Sequence, residues 1–118
     1  MTTQTDRELL ELAALAAQLP VVFDNHKPMI KVADGKYGVW KSWNPLKDDG
    51  DAFRLAVTLS MRVYVYVGMG DDYSIAATGD GNSYQSHRGE HKNDPAKATR
   101  LAITRAAAAI GQSMKEQK

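Results

Sequence analysis

The chain has 118 residues, 43% of them hydrophobic and 25% charged, and contains no cysteine. This composition fits one globular domain spanning residues 1–118 and excludes disordered and collagen-like classes, disulfide frameworks, thiolate metal sites and cysteine nucleophiles. The formal net charge of +1 excludes a bulk attraction to nucleic acid, although residues 87–118 carry seven basic and three acidic side chains and could hold phosphate locally.

Thr5-Asp6-Arg7-Glu8 has the form of a capping box, and Leu9, Leu12, Ala13, Ala16 and Leu19 follow at helical spacing until Pro20. The spacing predicts a first amphipathic helix, with residues 1–4 frayed. Val21-Val22-Phe23 predicts a short strand that turns at Asp24-Asn25. Met29 to Ala33 and Lys36 to Trp40 flank Asp34-Gly35, a pair suited to a two-residue hairpin turn.

Trp43-Asn44-Pro45-Leu46 reads as a loop, because proline neither donates a hydrogen bond nor lets the preceding residue turn helical. The acidic run Asp48, Asp49, Asp51 suits a helix start better than a calcium loop, whose alternating ligand spacing it lacks. A second helix is expected over residues 49–60. Arg62 to Val67 alternates valine and tyrosine, which predicts a strand in the middle of a sheet. Turns at Gly70-Asp71-Asp72 and Gly79-Asp80-Gly81-Asn82 separate it from strands at 73–78 and 83–87. Asn93-Asp94-Pro95 caps a long alanine-rich helix from Ala96 to about Met114, with residues 115–118 as a frayed tail. The expected fold is therefore α+β: three helices packed on a mostly antiparallel sheet of about five strands, in the order α-β-β-β-α-β-β-β-α.

His87-Arg88-Gly89-Glu90-His91 matches the letters H-x-x-E-H of certain zinc peptidases, with His87 and His91 as the metal candidates. The glycine and the following Asn93-Asp94-Pro95 take this segment off any helix, so the two histidines are not set on one face and solvated loop histidines are the expectation. Walker, dinucleotide-binding and nucleophile-elbow motifs are missing, and nothing pairs a nucleophile with a base; no enzyme activity, cofactor or metal is expected.

If Val63, Val65 and Val67 face helices, Tyr64 and Tyr66 point the other way, toward Tyr73 and Tyr84. An open face would carry an aromatic patch suited to a protein partner; a covered face would make the tyrosines core, and the sequence accommodates both. From Asp49 on, the order of elements resembles the double-stranded RNA-binding domain. That resemblance implies phosphate contacts at Lys92, Lys97 and Arg100, and the alternative reading is a nucleic-acid binder that uses these three with Arg88.

Trp43-Asn44-Pro45-Leu46-Lys47-Asp48-Asp49-Gly50-Asp51-Ala52-Phe53-Arg54-Leu55-Ala56-Val57, with Asp94-Pro95-Ala96-Lys97-Ala98-Thr99-Arg100-Leu101-Ala102-Ile103 downstream, resembles small tailed-phage and prophage proteins of the phage ABA-sandwich group. The resemblance implies Trp43 and Pro45 clamping the start of the second helix, Phe53 and Leu55 packing inward, and an accessory protein of unassigned biochemistry in the bacterial cytoplasm. Its expected partner is a host or phage protein, with the chain acting as an inhibitor in one version of that role. No run of residues approaches the ~20 apolar positions of a membrane span, and the first residues lack a signal-peptide pattern, so neither insertion nor secretion is expected.

Overall fold

The computed structural model describes residues 5–32, 39–66, 73–77, 83–85 and 94–117, with side chains at all of these except 32, 39, 66, 73 and 83–85. The expected turns at Asp34-Gly35, Gly70 to Asp72 and Gly79 to Asn82 lie outside the described residues. The elements are α1 (Asp6–Ala16), β1 (Val21–Asp24), β2 (Lys27–Val32), β3 (Val39–Ser42), α2 (Asp49–Thr58), β4 (Arg62–Tyr66), β5 (Tyr73–Ala77), β6 (Ser83–Gln85) and α3 (Pro95–Glu116). This is the α+β fold and the element order expected from the sequence. The strands divide between two antiparallel sheets, β1-β2-β3 and β4-β5-β6, rather than forming one. The 49–58 helix intervenes between the two sets, and no strand of one pairs with a strand of the other among the described residues.

Each helix begins where its side chains can satisfy the first free amides. Thr5 Oγ1 accepts from the Glu8 amide at 3.1 Å while Glu8 accepts from the Thr5 amide at 3.2 Å. Asp48 accepts from the Asp51 amide at 2.8 Å and Asp94 from that of Lys97 at 2.9 Å, with Pro95 opening α3. The ends of α1 and α2 are less ordinary. Gln18 (φ 58°) and Ser60 (φ 55°) take the left-handed conformation that glycine usually fills. Each closes its helix with two backbone bonds: Gln18 to Leu15 and Leu19 to Ala14, then Ser60 to Val57 and Met61 to Ala56. The far end of α3 runs through Lys115 and Glu116, which the sequence places in a frayed tail.

Asn25 and His26, both at positive φ, form the two-residue turn between β1 and β2, the geometry that matches the twist of paired strands. In the second hairpin Val32 lies opposite Val39. A two-residue turn at Asp34-Gly35 would instead set Val32 opposite Tyr37, so the register corrects that expectation by two positions.

The core runs through the α3 axis. Ala98, Ala102, Ala106 and Ala107 are fully buried, and so are Ser74 and Ala76 of β5. Small residues on both sides let helix and sheet backbones approach closely, which explains why the central strand of the second sheet carries serine and alanine. A shared hydroxyl contact fixes this approach: Ser74 Oγ lies 2.8 Å from Thr99 Oγ1. Thr99 donates its own proton to the Pro95 carbonyl, so Ser74 is the donor. One apolar cluster draws on Leu10 and Ala13 of α1, Ile30 of β2, Trp43, Leu55 of α2, Ala76 of β5 and Ile103 of α3. Burying such leucine and isoleucine side chains contributes about 1.5–3 kcal/mol each.

Gly111 marks a close crossing of α3 over α1. A Cβ there would overlap the Leu12 carbonyl oxygen of α1 and lie 2.8 Å from its carbonyl carbon, so only glycine admits this approach.

Candidate functional site

The segment leading into α2 is built as a rigid support. Trp43 and Pro45 are buried, as the expected clamp requires. The Asn44 amide donates to the buried Asp51 carboxylate at 2.9 Å, and the Asn44 side chain accepts from the Leu46 amide at 3.1 Å. Asp51 also takes Arg54 Nη2 at 2.7 Å. From α3, Arg100 Nε donates to the Leu46 carbonyl at 3.0 Å and its Nη1 pairs with Asp49 at 2.6 Å. The acidic run thus caps the helix, holds the loop and ties it to α3.

The strand β4 emerges from this support as an edge strand, with β5 in the centre of its sheet. The expectation of a central position fails because alternating valine and tyrosine reports a pleated strand and says nothing of its neighbours. The facing of the two rows can be read from the register. Val63 pairs with Ala76 and Val65 with Ser74, both fully buried, so the valine row belongs to the helix side. Tyr64 pairs with Ile75 and belongs to the opposite face.

Valines 63 and 65 are nevertheless not covered. Of the strands in this sheet α3 packs chiefly over β5, and a groove of about 550 Å³ between β4, α2 and the start of α3 is lined by these valines. Phe53 and Val57 on α2 flank it, 67% and 60% exposed, while Val65 is 50% exposed. This corrects the expectation that Phe53 packs inward: Ala52, Leu55 and Ala56 form the buried stripe, and Phe53 and Val57, four residues apart, occupy the next stripe round the helix. The groove's charged members, Asp49 and Arg100, neutralise one another.

On the other face of β4, Tyr64 is 44% exposed. The side chains of Tyr66, Tyr73 and Tyr84 lie outside the described residues. Register places positions 66 and 73 opposite each other in the Tyr64 row. Position 84 lies opposite Ala76, in the helix-side row, so the four positions do not fall in one row of the register.

Of the phosphate-binding candidates, Arg88 and Lys92 lie outside the described residues, as do the metal candidates His87 and His91. Lys97 is exposed at the start of α3. Arg100 is consumed by Asp49 and the Leu46 carbonyl, so it serves the support rather than an open phosphate site. Among the described residues, no three His, Cys, Asp or Glu side chains gather as a metal ion would require. No helix of the described residues is long and apolar enough to cross a membrane.

Compared with known proteins, the chain matches no family model, no curated protein and no solved structure. The groove is the feature that sequence reasoning missed. Its signal was the pair Phe53 and Val57, an apolar i, i+4 step lying beside, not within, the stripe of Ala52, Leu55 and Ala56.

Proposed function

We propose that this chain is a non-catalytic accessory protein of phage or prophage origin that binds a host or phage protein through the outer face of β4, inhibiting a host function as one form of that role. The observation that carries the reading is Tyr64: a large side chain, 44% exposed, on the side of the sheet away from α3. A tyrosine held on a paired strand offers contact area and a polar tip with little entropy left to lose, which is why such residues serve as interface anchors. Engagement of Arg100 inside the fold weighs against the phosphate-binding alternative.

The test is capture from bacterial lysate at low and high salt, comparing the wild type with Tyr64→Ala and Lys97→Glu. A protein partner should persist at high salt and weaken roughly thirty-fold with Tyr64→Ala, the loss of about 2 kcal/mol expected of an anchor. Recovery of nucleic acid alone, lost at high salt and abolished by Lys97→Glu, would refute the reading.

A further inference from the structure

A second recess, sharing no residue with the groove at β4, lies between the end of α1, the strands β2 and β3, and α2. Its volume of about 470 Å³ falls within the roughly 300–1,000 Å³ of small-molecule sites. Its wall is apolar: Ile30, Trp43 and Leu55 are buried, and the half-buried Leu19 joins them. We infer that this recess binds a small amphipathic anion, a carboxylate carried on an apolar body, with the carboxylate at the Lys41 ammonium and the body against Trp43, Leu55, Ile30 and Leu19.

The charges around the recess specify the head group. Lys41 lies opposite the buried Ile30 and two residues before the buried Trp43, so it occupies the core-facing row of β3, where an apolar side chain is the ordinary choice. Among the described residues it has no carboxylate partner. Lys31, from the opposite row, borders the recess and is likewise unpaired among them. The remaining charges answer one another: Arg54 lies 2.7 Å from Asp51 and 4.0 Å from Asp48, and the second Asp51 oxygen accepts from the Asn44 amide. An uncompensated positive charge is therefore left beside an apolar wall, where a bound anion is screened less than in open water. The groove at β4 lacks this excess, because its charged members Asp49 and Arg100 are joined at 2.6 Å.

The chain's two tryptophans provide the assay, since Trp40→Phe removes an exposed one and leaves Trp43, in the wall of the recess, as the sole emitter. Titrating that variant with decanoate should change Trp43 fluorescence saturably, and decanol, of equal chain length but neutral, should bind about five- to tenfold more weakly. Lys41→Met should weaken decanoate by about the same factor, leave decanol unchanged and keep the far-ultraviolet circular dichroism, while Lys41→Arg should retain the preference for the anion. Backbone amide shifts locate the ligand: decanoate should move Leu19, Lys41 and Thr58. No saturable response to decanoate overturns the inference, as does equal affinity for decanol, indifference to Lys41→Met, or shifts confined to Phe53 and Val65 in the other groove. A protein captured through Tyr64 should still be captured by Lys41→Met, which separates failure of this site from failure of the proposed function.

Discussion

Replacing Gly111 by alanine adds one carbon where α3 crosses α1, and two effects then oppose each other. In an unconstrained helix interior the substitution would stabilise the chain by about 1 kcal/mol, because alanine forms helix better than glycine. At this crossing the new carbon would overlap the Leu12 carbonyl oxygen and lie 2.8 and 3.2 Å from the Leu12 carbonyl carbon and Cα, against the roughly 3.5–4.0 Å of comfortable carbon contacts. All three neighbours are backbone, so no side-chain rotation relieves the overlap, and the helices must separate. Separation would loosen Ala13 and Ala108, both sealed from solvent near the same seam. Overpacking costs about 1–3 kcal/mol, and an overlap with backbone that cannot turn aside belongs in the upper half of that range, about 2–3 kcal/mol, which outweighs the gain in propensity. The expected net loss is about 1–2 kcal/mol, or roughly 4–8 °C in Tm for a chain of this size. Thermal and urea denaturation measure it, with exposed Ser113→Ala on the same helix as the control that should not destabilise. A Gly111→Ala variant as stable as the wild type, or more so, would refute the close crossing.

Glycine at the two left-handed helix ends should act in the opposite sense. Gln18→Gly and Ser60→Gly should each raise stability by about 0.5–1 kcal/mol in urea titrations, since a side chain in that conformation costs more than glycine's extra unfolded-state freedom. Asp51→Ala should lose about 2 kcal/mol, because the Asn44 amide and Arg54 forfeit a buried acceptor; Asp51→Asn, which keeps one acceptor, should lose less. Arg100→Lys should cost about 1–2 kcal/mol although it preserves charge, because lysine has no Nε–H to offer the Leu46 carbonyl. Asp49→Ala should cost under about 1 kcal/mol by the same titration, its carboxylate being 76% exposed and screened by water.

Local chemistry was the part of the fold most legible from residues. Thr5 with Glu8, Asp48, and Asp94 with Pro95 start their helices where the sequence places them, because a cap is decided within four residues. The alternation at 62–66 likewise gives a strand with valines toward the helices. Features that depend on distant neighbours were not legible. Gln18 and Ser60 end their helices without the usual glycine, so the packing of the following Leu19 and Met61 against the core overrides local preference. The separation into two sheets is a matter of long-range pairing that no local pattern reports, and the edge position of β4 comes from its being the first strand of the β4-β5-β6 meander. The candidate site was half legible for the same reason: alternation identifies Tyr64 as facing outward, but only the stacking of α2 and α3 leaves Phe53 and the valines uncovered.

The most direct measurement is thiol labelling of Tyr64→Cys in this otherwise cysteine-free chain, alone and after partner capture, using a partner that tolerates the substitution at reduced affinity. Binding through the outer face of β4 predicts rapid labelling of the isolated chain and protection in the complex. Slow labelling without a partner, or a rate that capture leaves unchanged, would contradict it.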